Sequence, residues 1–175
     1  MKTTTFTRVA MIATIYAVLC FLPGLSMIAY GQIQVRIAEA LTLLPLLYKP
    51  SIYGVTLGCF LANLVGVMMG MNPTGLMDLI IGTSATFIAG IGTYYFRNYK
   101  VKGIPVLSCL MPVIMNMLFV GAELAYIFMP ENFFLGWIIN CAYVAIGELI
   151  AVIIGYFLIK RLEKTELFVE KKDAI

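Results

Sequence analysis

Long apolar runs dominate the chain, and their lengths predict its architecture. Five of them are long enough to cross about 30 Å of hydrocarbon at 1.5 Å per residue. They are Val9–Tyr30, Ile52–Met71, Leu76–Phe96, Ile104–Met129 and Phe133–Ile159. The first run has 22 residues, which is long for the apolar core of a signal peptide and suits a spanning helix.

A sixth apolar run, Ile37–Tyr48, is shorter and contains Pro45. It is either a half-spanning element or, if residues 33–36 extend it, a short sixth helix. Six crossings with the N-terminus inside place 11 of the 12 Lys and Arg residues on the cytoplasmic side and Arg36 alone outside. Five crossings leave two cations outside. Because cytoplasmic loops are enriched in Lys and Arg, we predict six crossings.

The pattern therefore predicts an all-α membrane protein, a six-helix transmembrane bundle whose second helix is short. Both termini are expected to be cytoplasmic, in a multi-pass protein of the cell membrane. We expect residues 1–175 to form a single integral membrane domain that ends in a cytoplasmic tail at 160–175. The predicted helices are 9–30, 33–48, 52–71, 76–96, 104–129 and 133–159.

The composition agrees with a membrane protein and argues against catalysis. Hydrophobic residues make up 62% of the chain and charged residues only 12%, whereas soluble domains are about a quarter charged. The absence of histidine excludes His-based nucleophile systems and the commonest metal ligand. The four cysteines are scattered singly, and no P-loop motif for ATP hydrolysis occurs. We expect no enzymatic activity, metal, cofactor or nucleic-acid partner.

Costly polar residues are concentrated in the half of the predicted bundle that faces outward. Asn116 and Glu123 are seven residues apart and share a face of the fifth helix. Such a set of carboxylates, amides and an aromatic ring, without a nucleophile–base pair, indicates a binding site for a polar planar molecule. The candidate substrate-binding residues are Glu123, Asn116, Asn140, Trp137, Asp78, Glu39, Arg36 and Glu148.

Structural roles compete with these assignments. Asn63 is interpreted as a helix-to-helix hydrogen bond. Glu148 is either a buried structural partner or a ligand, and Arg36 and Glu39 could neutralise each other three residues apart. The small-residue pairs Gly54/Gly58, Gly66/Gly70 and Ala85/Ala89 are expected to pack helices within the chain.

Two segments resemble a known family. VRIAEALT at 35–42 and GLMD at 75–78 are similar to the QueT family, substrate-binding (S) components of energy-coupling factor (ECF) transporters for queuosine precursors. The resemblance implies an outward-open pocket, a separate membrane scaffold subunit and two cytoplasmic ATPases. It also implies that Ala10, Ala13 and Ala17 contact the scaffold subunit.

The implied ligand is a 7-deazaguanine base, which suggests roles for the candidate residues. Glu123 would accept the guanine-like N–H donors, with Asn116 and Asn140 as orienting amides. Trp137 would stack on the ring. Asp78 or Glu39 would hold a cationic substituent. Arg36 could serve the ligand carbonyl, or Arg36 and Glu39 could anchor a gating loop.

Four alternatives stay open at this point. The chain could be an S component for another vitamin-like molecule, or a solitary proton-coupled carrier. It could also be an intramembrane enzyme based on paired carboxylates, or a structural membrane subunit without a ligand.

Overall fold

The computed structural model describes residues 3–22 and 36–165, which form six helices and no β-strand. Five of the helices are long and apolar enough to cross a membrane. The prediction of an all-α, six-helix membrane protein is confirmed at this level. The helices, numbered first to sixth, are Thr3–Phe21, Ile37–Leu46, Ser51–Met68, Leu76–Tyr95, Val106–Phe128 and Phe133–Leu162, with short 3₁₀ turns at Pro130–Asn132 and Glu163–Thr165.

The first and last helices differ in extent from their apolar runs. The first begins at Thr3 rather than Val9, because its threonines are compatible with helical backbone; Thr7 Oγ1 donates to the Thr3 carbonyl within the helix. The sixth continues through two cations to Leu162. The predicted end of the first helix at 30, the start of the second at 33 and the tail beyond 165 lie outside the described residues.

The short second helix is the centre of the bundle. It is a 3₁₀ helix of 10 residues, and each of the five long helices contacts it. At about 2.0 Å per residue a 3₁₀ helix covers about 20 Å, one third more than an α-helix of equal length. Eight of its residues are buried, from Ala38 to Pro45. A helix that is apolar on all sides is buried on all sides, which accounts for its composition.

Small residues allow the helices to approach closely. A Cβ added to Gly58 in the third helix would lie 2.6 Å from the Tyr16 Cβ in the first. At Gly155 in the sixth helix, an added Cβ would lie 2.5 Å from the Ala40 carbonyl oxygen in the second. Backbone contact of this kind drives helix association in lipid, where apolar side chains gain nothing by leaving the solvent.

The two ends of the bundle differ in charge. At one end, the basic end, the Arg8 guanidinium lies 5.7 Å from the Tyr48 ring centre and Lys49 Nζ 5.2 Å from that of Tyr94. The loop at 96–105 lies at the same end. At the opposite end, the Arg36 end, the third helix is joined to the fourth and the fifth to the sixth. The six helices of the described residues each run between these two ends.

Candidate functional site

Arg36 organises a buried polar cluster at the start of the second helix. Its Nη2 lies 2.8 Å from Asp78 Oδ2, and its Nη1 donates to Asn63 Oδ1 at 3.0 Å. All three side chains are buried. Since a buried charge requires an opposite charge, this arrangement compensates the charges of both Arg36 and Asp78. Arg36 therefore connects the second, third and fourth helices.

The loop between the third and fourth helices closes around Asp78. Asn72 Nδ2 donates to Asp78 Oδ2 at 2.9 Å, and Asn63 Nδ2 donates to the Asp78 carbonyl at 2.9 Å. Asn72 Oδ1 accepts from the Thr74 backbone N–H and hydroxyl, and Gly75 has a φ of 62°. The NPTG segment before Asp78 is thus an Asx-type turn whose amide also serves the site. Our sequence reasoning missed Asn72, although this turn signature was visible.

Glu39 and Glu148 approach each other on either side of Asn116. The Tyr16 hydroxyl donates to Glu39 Oε1, joining the first helix to the second. Asn116 Nδ2 donates to Glu148 Oε1 at 2.7 Å, joining the fifth helix to the sixth, and the same amide lies beside Glu39. The second carboxylate oxygen of each acid has no hydrogen-bond partner among the described residues. Two buried acceptors therefore face the interior of the bundle.

A small cavity is lined by both Arg36 and Glu148. Its volume is about 10 Å³, roughly the least that holds one water molecule. The lining thus includes one cationic side chain, Arg36, and one acidic side chain, Glu148. The lining residues are Arg36, Cys59, Gly82, Thr86, Asn116, Val120, Val144 and Glu148.

Gly82 keeps this cluster compact. An added Cβ there would overlap Asp78 Oδ1 and lie 3.2 Å from Asn63 Nδ2. Any larger residue would displace the carboxylate that pairs with Arg36. Sequence reasoning missed Gly82, Cys59 and Thr86 as wall residues, because nothing in their spacing identifies the side of the helix that faces the site.

Two of the remaining candidate residues, Glu123 and Trp137, line a broad groove between the fourth, fifth and sixth helices at the Arg36 end. This groove has a volume of about 660 Å³ and is almost entirely apolar. Trp137 lines it and donates from Nε1 to the Leu118 carbonyl at 3.1 Å. Asn140 donates to the Gly136 carbonyl of its own helix at 2.8 Å. The structure therefore does not bring Trp137 and Asn140 together with Asn116.

Glu123 lies between the groove and the cavity. It is 2% exposed and lines the groove, and neither carboxylate oxygen has a hydrogen bond of normal geometry among the described residues. Thr74 lies beside it, although the Thr74 hydroxyl donates to Asn72 at 2.9 Å. Val120, one turn before Glu123 on the same helix face, lines the cavity. Glu123 therefore lies close to the cavity, on the side of it that faces the Arg36 end.

The alanines of the first helix divide between two faces. Ala13 is buried, and its carbonyl oxygen would lie 2.9 Å from a Cβ at Gly58. Ala10 is exposed and Ala17 half-buried. Ala13 therefore packs within the chain, whereas Ala10 lies on the outer surface.

Within residues 3–22 and 36–165, no group of three His, Cys, Asp or Glu side chains is placed to hold a metal ion.

Six helices around a buried polar cluster define a multi-pass membrane protein, and comparison with known proteins assigns its class as a transporter. The chain belongs to the QueT transporter family, which matches residues 6–164. The queuosine precursor transporter QueT of Lactococcus lactis subsp. cremoris (strain MG1363) is 32% identical over 100 residues, which cover 57% of this chain and 55% of that relative. The match thus spans about half of the curated relative. No solved structure matches the chain. The family is described as one of transporters, which agrees with the prediction of a transport protein rather than an enzyme.

Proposed function

We propose that this chain captures a 7-deazaguanine queuosine precursor as the substrate-binding subunit of an ECF-type ABC importer. The family and the printed name of the Lactococcus relative support the substrate class. The sequence contains no P-loop, so energy would come from two cytoplasmic ATPases acting through a separate membrane scaffold subunit. The exposed Ala10 and half-buried Ala17 would contact that scaffold, while Ala13 positions the first helix against the third.

We propose that the basic end is cytoplasmic, with both termini there, and that the Arg36 end faces outward at the cell membrane. The positions of Arg8, Lys49, Arg97 and Lys160 support this orientation, because Lys and Arg accumulate on the cytoplasmic side. Substrate would then enter from the Arg36 end.

One observation carries the choice of site: Arg36 and Glu148 line the same cavity. A guanine-like edge has adjacent N–H donors next to a carbonyl acceptor. A carboxylate suits the donors and a guanidinium suits the carbonyl. Glu148 would therefore accept from the base, oriented by Asn116, while Arg36 donates to the carbonyl. This assignment moves the first choice for the guanine edge from Glu123 to Glu148.

The charges around the cavity favour a cationic substituent on the base. Asp78 is paired with Arg36, whereas the amide of Asn116 donates to Glu148 and lies beside Glu39. A protonated aminomethyl group would supply the positive charge that two neighbouring buried acids require. We propose that Glu39 holds it.

Binding has to enlarge the cavity, since a deazaguanine base is much larger than one water. We propose that it widens toward Glu123, which then becomes a second acceptor at the outer edge of the base. Trp137 and Asn140 would contact the substrate as it enters along the groove.

Titration of the detergent-purified chain with 7-deazaguanine bases and guanine tests the proposal. Saturable binding that prefers the deazaguanine base is expected. Glu148→Gln should weaken binding about 30-fold or more, because losing a charge-assisted hydrogen bond costs about 2–3 kcal/mol. Glu123→Gln should also lose high affinity while the fold is retained. The matched control is Glu131→Gln, an exposed acid at the same end.

Two results would contradict the proposal at different levels. Absence of saturable binding by folded wild-type protein would remove the substrate class. Unchanged affinity in Glu148→Gln, with binding otherwise intact, would remove the cavity from the site and leave the transporter assignment standing.

A further inference from the structure

A second cavity, of about 200 Å³, lies at the basic end. It is enclosed by the end of the second helix, the loop between the fourth and fifth helices, and the end of the sixth helix. Three cations line it, Arg97, Lys100 and Lys160, against one acid, Glu163. Leu46, Leu47 and Ile159 form an apolar part of its wall. Such a lining suits a ligand in which a negatively charged group is attached to an apolar group.

Arg97 is held in position independently of any ligand. Its guanidinium carbon lies 3.7 Å from the centre of the Tyr94 ring, and Nη1 donates to the Tyr94 carbonyl at 2.8 Å. Guanidinium groups stacked in this way keep further N–H donors for a phosphate, and little conformational entropy is lost on binding.

The loop that carries Lys100 has a hydrogen-bonded backbone. Val101 and Ile104 exchange backbone hydrogen bonds of 2.9 and 3.0 Å, and the two residues between them have φ values of 51° and 82°. Two consecutive positive φ angles are typical of a type I′ turn, which closes a tight hairpin. Glycine at 103 suits this backbone, and the turn places Lys100 at the cavity.

We infer that this cavity binds the phosphate of an anionic phospholipid headgroup. The three cations leave a net positive lining after Glu163 is counted. The volume equals that of roughly six or seven water molecules, enough for a phosphate with part of a glycerol. Basic cavities between helices at the cytoplasmic surface bind such headgroups. The leucine and isoleucine wall favours a lipid over free phosphate, since it matches the adjoining glycerol and acyl carbons.

Native mass spectrometry of the detergent-purified chain tests this inference. A short-chain phosphatidylglycerol is titrated in parallel with the corresponding phosphatidylcholine. One site that prefers phosphatidylglycerol is expected. Arg97→Gln and Lys160→Gln should each weaken it about fivefold, the equivalent of about 1 kcal/mol per cation near a membrane surface. Lys164→Gln is the control, because it removes an exposed cation that does not line the cavity.

Glu163→Gln is the most decisive variant, because removing the acid should tighten phosphatidylglycerol binding. Misfolding would weaken binding and therefore cannot produce this gain in affinity. Equal binding of the two lipids, or equal losses in Lys160→Gln and Lys164→Gln, would overturn the inference. Displacement of the lipid by an equal concentration of inorganic phosphate would overturn the lipid assignment in favour of a free anion.

Discussion

Neutralising Arg36 should destabilise the protein more than its position at a helix end suggests. In Arg36→Gln, the Asp78 carboxylate would stay buried, at 2% exposure, with the Asn72 amide at 2.9 Å as its remaining side-chain donor. Removing one partner of a buried ion pair costs about 3–5 kcal/mol, because the other charge is left uncompensated. We expect a loss of this size in the free energy of unfolding.

The double variant separates this cause from a general packing defect. Asp78→Asn removes the carboxylate that pairs with Arg36 and should cost a similar amount. Arg36→Gln/Asp78→Asn removes both charges, so its loss should fall short of the sum of the single losses by about 1–3 kcal/mol.

The assay is unfolding of the detergent-purified variants by titration with SDS, followed by circular dichroism. Lys164→Gln, an exposed cation, should stay within about 0.5 kcal/mol of the wild type. Single variants as stable as the wild type, or strictly additive losses in the double variant, would refute the role assigned to this ion pair.

Two further predictions concern packing and site occupancy. Gly58→Ala should cost about 1–3 kcal/mol in the same assay, because its Cβ would lie 2.6 Å from that of Tyr16. Gly90→Ala should be tolerated, because its Cβ would meet Ile52 at an ordinary 3.4 Å. Equal losses of stability in the two variants would contradict the close approach of the first and third helices at Gly58. Cys59 lines the cavity, and Cys141 does not. In single-cysteine variants, a bound deazaguanine should slow the reaction of N-ethylmaleimide with Cys59 and leave the rate of its reaction with Cys141 unchanged. Equal protection of both thiols would place the ligand elsewhere.

Much of the candidate site was visible in the sequence as a set of residues, but not as an arrangement. Buried charges in a membrane are costly, so Arg36, Glu39, Asp78 and Glu148 attract attention wherever they occur. The residues that pair with these charges cannot be recognised in the sequence in the same way. The sequence offered Arg36 and Glu39 as mutual neighbours, whereas the structure pairs Arg36 with Asp78, 42 positions away, and Glu39 with Tyr16, 23 positions away.

Helix periodicity in the sequence also did not show which candidate residues line the cavity and which line the groove. It placed Asn116 and Glu123 on one face of the fifth helix, and the structure shows Val120 between them at the cavity wall. It could not show that Trp137 lines the groove instead, because the face that the sixth helix turns toward the fifth depends on close contacts such as that of Gly121 with Cys141.

The sequence by itself determined the membrane location, the number of long helices and the chemical types of the binding groups, because all three follow from the local cost of placing polar atoms in hydrocarbon. Only the tertiary structure decided that the short second helix is a 3₁₀ helix at the centre of the bundle, and which donor faces which acceptor across it. Those features depend on where small residues let backbones touch. That contact energy is shared among segments distant in sequence.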